Sequence, residues 1–170
     1  SSADTQGVKF RSYNTATATF AEELGMIPVQ VEAAELSQAL ATGVAEAFIS
    51  SGSTGYDRKV WETLTHYYKV NAWHPRNYVM VNKGVWDGLS ADMQASVQKA
   101  ADETGVACNA KSASLADWYF EQLEANGMVV EDAAPEFLAE LQKIGTKMQS
   151  DWVAEAGADA QAILDAYNAN

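Results

Sequence analysis

An arginine closes a short alternating stretch, Val8-Lys9-Phe10-Arg11, and Ser12, Tyr13 and Asn14 follow it at once. Val8 and Phe10 alternate with Lys9 and Arg11 as in a strand with one apolar face, which puts Arg11 at the carboxyl end. A guanidinium presents a planar fork of N–H donors that matches the two oxygens of a carboxylate. A surface charge or an ordinary salt bridge is the alternative use of such a residue. A second candidate is Ser50-Ser51-Gly52-Ser53-Thr54-Gly55. Its hydroxyls and its N–H groups ahead of a helical pattern could meet an anion. It lacks the lysine of a phosphate-binding P-loop, and a plain Gly/Ser turn explains the same string. A third is Asn71–Asn77, in which Trp73 and His74 could form an aromatic wall at the same rim, unless Trp73 is a core or hinge residue. Asn14 and Asn77, which flank the first and third stretches, complete the candidate contacts: Arg11, Asn14, Ser50, Ser51, Gly52, Trp73, His74 and Asn77.

Catalytic templates find no match. No G-x-S-x-G, G-x-G-x-x-G or H-E-x-x-H occurs, and His66 in Leu64-Thr65-His66-Tyr67-Tyr68 has no serine or cysteine nucleophile spaced near it. The single cysteine, Cys108, excludes an intramolecular disulfide and speaks against a zinc cluster; in its Ala-rich helical run it is expected to pack as a small hydrophobe. The net charge of −12 argues against nucleic acid, whose phosphates need a basic face, and against an anionic membrane surface. An acidic chain that binds an anion must supply local positive charge, which returns attention to Arg11. The 170 residues, 48% of them hydrophobic, suffice for one core or two small lobes. The first residues have neither the basic start nor the apolar run of a signal peptide, and no apolar stretch is long enough to span a bilayer.

The elements that position these residues alternate. A strand over Val8–Arg11 leads to a helix capped by Asn14 or Thr15 and stopped by Gly25. Met26–Val31 reads as a strand, at an edge or irregular start because of Pro28. A short helix with Leu36, Ala39 and Leu40 inward closes at Gly43, and a strand over Ala45–Ile49 follows. The Gly/Ser stretch reads as a loop, Tyr56–Leu64 as a helix, and two further extended segments surround His74-Pro75. This alternation predicts an α/β fold with mainly parallel strands. Beyond Trp86 the period becomes helical from Ser90 to Gly127, with one stripe of Met93, Val97, Ala100 and Ala101 and another of Leu115, Trp118, Tyr119 and Leu123. A short strand, an amphipathic helix after Pro135 and a helix broken near Gly157 complete the pattern.

Read in order, the Gly7–Arg11 strand, the Leu24–Val31 strand with its Pro28, the Glu35–Ala47 stretch with its short helix and the strand leading to Ser50 resemble the solute-binding proteins of tripartite ATP-independent periplasmic (TRAP) transporters, the DctP-like family. Asn77–Ala101 resembles the family's return strand and the long helix after it. The resemblance covers Gly7 to about Asn126, with the tail matched loosely. It implies a periplasmic-binding-protein-like lobe with a mainly parallel sheet, followed by a long helix and C-terminal helices. On that reading residues 7–76 form the ligand-binding second lobe. Residues 77–131 are the return strand, long helix and short strand that reach a first lobe, and residues 132–170 are helices packing on the lobes. Arg11 matches the family arginine that clamps a ligand carboxylate with a two-pronged ion pair.

The resemblance further implies a periplasmic location, a small organic acid as ligand, and membrane permease subunits as partners; nucleic acid, cofactor and metal are not expected. The loop after the third strand departs from the family. Many members carry an asparagine there, and a metal-assisted 2-oxo-acid subgroup a glutamate; here Phe48-Ile49-Ser50-Ser51-Gly52 offers hydroxyls and backbone. A monocarboxylate with an apolar or aromatic body fits this better than a C4-dicarboxylate or sialic acid. Family proteins also carry a preceding α/β half, so the matched part is expected to be a C-terminal portion, completed by that half or by a second copy. Competing readings are a free-standing sensory or interaction module, dimerised by the Ser90–Gly127 helix, and an α/β enzyme with spatially assembled catalytic groups.

Overall fold

A computed structural model of the protein describes residues 2–75 and 77–169. After a 3-10 turn at Ser2–Thr5 come β1 (Lys9–Ser12), α1 (Thr15–Glu23) and β2 (Ile27–Gln30). A 3-10 turn at Ala33–Glu35 leads into α2 (Leu36–Ala41), then β3 (Ala47–Phe48) and α3 (Gly52–Asp57). These strands make one parallel sheet in the order β2-β1-β3, with Arg11 opposite Val29 on one side and Phe48 on the other. Pro28 thus sits on an edge strand, where a missing N–H is tolerated. A second parallel pair joins β4 (His66–Lys69) to β5 (Val129–Asp132). Between them in sequence lie α4 (Lys83–Asp87) and the long α5 (Ala91–Ala125); α6 (Pro135–Ala156) and α7 (Ala158–Asn168) follow.

Local chemistry explains the first unit. Asn14 caps α1: its side chain accepts from the Thr17 N–H at 2.8 Å, and the Thr17 hydroxyl accepts from the N–H groups of Tyr13 and Asn14 at 3.1 and 3.2 Å. This reciprocal capping box satisfies donors that a helix start leaves orphaned. Asn14→Ala is expected to cost about 1 kcal/mol and to lower the melting temperature by roughly 2–4 °C. A thermal melt indistinguishable from that of the parent would contradict the cap. At the other end Gly25 takes φ 69°, a left-handed conformation that suits glycine and turns the chain into β2.

Two apolar clusters hold the sheet. Phe10, Phe20, Ala21, Leu24 and Leu141 form one, with Phe137, Ile144 and Met148 packed on it, so α1 and α6 share a cluster with β1. The Lys147 ammonium reinforces this contact at 2.8 Å from Glu23 and 2.9 Å from Asp151, bonds that raise its pKa. The other cluster joins Val31, Leu36, Ala39, Leu40, Ala45, Val60, Leu123 and Met128, which ties α2 and the C-terminal turns of α5 to the strands. Leu36 and Leu123 are fully buried there, the strongest hydrophobic stabilisation a side chain of that size can contribute.

Several sequence expectations are corrected. The Gly/Ser stretch is not a loop: Ser51 caps α3, which begins at Gly52. A Cβ on Gly52 would lie 3.2 Å from the Tyr119 Cβ and 3.3 Å from the Phe120 ring, so glycine permits α3 to pack closely on α5. The helix expected over Tyr56–Leu64 is interrupted by Lys59 at φ 49° and continues only as a 3-10 turn at Val60–Glu62. The third strand is shorter than Ala45–Ile49, spanning Ala47–Phe48. Asn77–Asn82 forms no strand, because no neighbouring strand is present among the described residues to complete its hydrogen bonds. Arg76, which precedes that segment, lies outside the described residues. Cys108 is exposed rather than packed. The Met93, Val97, Ala100 and Ala101 stripe faces solvent, whereas the second stripe buries Leu123 and half-buries Leu115 and Tyr119.

Candidate functional site

Arg11 stands on the central strand, one residue before its end, and is 4% exposed. Its Nε donates to the carbonyl of Val31 at 2.8 Å. That carbonyl is itself fixed, since the Val31 N–H donates to the Ser12 carbonyl at 3.1 Å just beyond the β1–β2 ladder. On another side the guanidinium carbon lies 4.9 Å from the centre of the Tyr13 ring. Among the described residues no carboxylate pairs with Arg11; the ion pairs there belong to Lys9, Lys83, Lys99 and Lys147.

Burial lowers the Arg11 pKa from its usual value, an effect that Tyr13 and the Glu32 carboxylate partly offset. A guanidinium remains charged under all ordinary conditions, so the sheet holds a nearly buried cation that no carboxylate contacts among the described residues, Glu32 acting on it only from a distance. A buried side-chain nitrogen lacking a partner is absent among the described residues. The Nη groups, which bond to no protein atom there, therefore carry the small exposure that Arg11 retains. The site offers the two Nη groups as charged donors near the carboxyl end of β1, where Phe10 and Ser12 on either side of Arg11 are buried.

The other candidates lie around several elements. Asn14, exposed, is committed through its side-chain oxygen to the α1 cap. Ser50 is half-buried just beyond β3. The Ser51 hydroxyl lies 2.7 Å from that of Ser53 and 3.3 Å from that of Thr54, in a small hydroxyl cluster at the start of α3. Gly52 is buried against Tyr119 and Phe120. Trp73 is half-buried, and His74 and Asn77 are exposed. His74 Nε2 lies 2.7 Å from the carbonyl of Asn71, a residue at φ 47°, so the imidazole steadies its own turn. No hydrogen bond or ring contact joins Trp73, His74 or Asn77 to Arg11 among the described residues. His66 bonds the Thr65 hydroxyl through Nδ1 at 2.8 Å and stacks on Tyr68.

Sequence reasoning missed Tyr13 and Val31. The signal for Tyr13 was present: in an extended chain residues i and i+2 share a face, so Tyr13 belongs beside Arg11. Val31 acts through its carbonyl, which no side-chain pattern reveals.

The chain is similar to several known proteins. Residues 1–155 match the family model DctP, bacterial extracellular solute-binding protein, family 7. A TRAP solute-binding protein from an unidentified marine microbe, specific for pyroglutamate and crystallised with it, is 77% identical with a TM-score of 0.97 over 100% of this chain and 56% of its own. DctP6 of Bordetella pertussis, an extracytoplasmic receptor binding pyroglutamic acid, is 41% identical with a TM-score of 0.96 over 99% of this chain and 56% of its own. The C4-dicarboxylate-binding periplasmic protein DctP of Rhodobacter capsulatus is 35% identical over 81 residues, 48% of this chain and 24% of that protein. The chain thus spans about 56% of the length of these solved relatives. With a family model covering residues 1–155 of 170, the chain belongs to the DctP family of bacterial extracellular solute-binding proteins.

Proposed function

We propose that this chain supplies the carboxylate-clamping part of a periplasmic TRAP receptor, and that its ligand is pyroglutamate, which the receptor delivers to membrane permease subunits. The observation that carries the reading is Arg11, a nearly buried cation with free Nη groups and no acid partner among the described residues. A buried charge left unpaired is costly, and a ligand carboxylate removes that cost. Pyroglutamate has one carboxylate on a small uncharged lactam ring. It therefore needs one such clamp and no second cation, whereas a C4-dicarboxylate needs two. Both solved relatives described above bind pyroglutamate.

Residues 7–76 act in this reading as the ligand-binding lobe, residues 77–131 as the crossing to the other lobe, and residues 132–170 as helices packed on both. The protein works as a receptor and releases its ligand unchanged. Binding requires no metal ion: Ile49–Ser53 offers hydroxyls, while hard cations take several oxygen ligands that usually include carboxylates.

The test joins this chain to the complementary segment of the 77%-identical relative and titrates pyroglutamate and succinate, with the five tryptophans as reporters. Expected are micromolar or tighter binding of pyroglutamate, succinate at least about a hundredfold weaker, and no change after dialysis against a chelator. Preference for succinate, or loss of binding on chelation, would overturn the respective claim.

A further inference from the structure

We propose that Tyr13 is a positioning residue for Arg11: its ring and the Val31 carbonyl together fix the guanidinium so that a carboxylate is received end-on, by the two Nη groups. The inference rests on the clamp role proposed for Arg11 and adds how the clamp is set.

Three observations carry it. First, Nε is occupied, donating to the Val31 carbonyl at 2.8 Å in a buried setting. A side-on grip, through Nε and one Nη, would break that bond and leave a buried carbonyl unsatisfied. The end-on pair is the one left open. Second, the Tyr13 ring lies 4.9 Å from the guanidinium carbon, within the range of a cation–π contact. Third, the ring's anchor is rigid. The Tyr13 N–H donates to the Thr17 hydroxyl at 3.1 Å, which places the residue inside the capping box of α1. The Tyr13 hydroxyl makes no hydrogen bond within the described residues, so the contact with Arg11 belongs to the ring. Arginine has several rotatable bonds, and holding them before the ligand arrives removes ordering cost from the binding step.

The test compares Tyr13→Phe, Tyr13→Leu and Tyr13→Ala by two readouts. The first uses nitrogen-labelled arginine in the 170-residue chain without ligand, with the Arg11 signal assigned by its loss in Arg11→Lys. The Nε–H of Arg11 should exchange slowly and carry a ring-current shift in the parent and in Tyr13→Phe. Tyr13→Leu and Tyr13→Ala should lose the shift and exchange faster. The second titrates pyroglutamate into the joined protein. Tyr13→Phe should bind within about threefold of the parent, and Tyr13→Leu and Tyr13→Ala about tenfold more weakly, which is about 1.4 kcal/mol. Pyroglutamate should shift the Nη signals and leave Nε–H in place.

An unchanged Nε–H in Tyr13→Ala would overturn the positioning role, as would near-parent binding by that variant. Equal loss in Tyr13→Phe would mean that the hydroxyl touches ligand instead. Displacement of Nε–H by pyroglutamate would overturn the end-on grip. Failure of the parent to bind pyroglutamate would sink the ligand assignment alone, because the first readout needs no ligand.

Discussion

Arg11→Ala is expected to weaken pyroglutamate binding at least about a hundredfold in the joined protein, about 2.7 kcal/mol. The size follows from burial. Arg11 is 4% exposed, and removing one partner of a buried ion pair leaves the other charge uncompensated, at roughly 3–5 kcal/mol. Arg11→Lys should fail almost as badly, because an ammonium cannot hold the Val31 carbonyl and both ligand oxygens in one plane. Arg11→Met keeps the length and apolar stem and removes the charge. It separates ligand affinity from folding: it should still fold, its stability set by the lost Val31 bond against the removal of an unpaired buried charge, while losing affinity like Arg11→Ala. Calorimetric titration of the three variants decides the matter. A change under threefold in all of them would make Arg11 a structural cation that serves the Val31 carbonyl.

The parts of this fold that were legible in the sequence are those whose causes are local. The cap of α1 reads as Asn14 or Thr15 and is Asn14, Gly25 can adopt φ 69°, and Leu36, Ala39 and Leu40 fall on one helical face and are buried. Arg11 was legible for the same reason: alternation and position placed it at a strand end, and the pairing of β1 with β2 and β3 agrees. What escaped notice depends on distant partners. Gly52 looked like part of a turn because nothing near it in sequence shows that Tyr119 and Phe120 press on it. Tyr56–Leu64 has a helical pattern, but Lys59 at φ 49° redirects it so that Val60 reaches Leu123 and Met128 in the second cluster. Asn77–Asn82 alternates like a strand, yet a strand is a relation between two segments, and pattern alone cannot supply the second.

That unpaired segment leads to the other large effect. The 170-residue polypeptide by itself is expected to bind pyroglutamate no tighter than about millimolar, near −4 kcal/mol, and to self-associate. Small-ligand sites bury about 70–90% of the ligand surface, and receptors of this kind close two lobes to do so. On the reading proposed above, a chain spanning 56% of its solved relatives' length supplies the Arg11 side of such a cleft. With solvent on the facing side, the ligand and its carboxylate stay largely hydrated, so their pair with Arg11 contributes far less than in a closed site. The same reasoning applies to the apolar surface. Val79 is 103% and Met80 87% exposed, and Val81, Val85, Met93 and Val97 are exposed with them, where single chains rarely leave contiguous apolar patches uncovered. Joining the complementary segment of the 77%-identical relative should therefore tighten binding at least about a thousandfold, about 4.1 kcal/mol, and should yield a monomer. Sedimentation and titration of the polypeptide before and after joining measure both quantities on the same material. A monodisperse monomer that already binds pyroglutamate at micromolar concentration would mean that Arg11 and its surroundings form a complete site, and that the exposed face of Asn77–Val97 needs no cover.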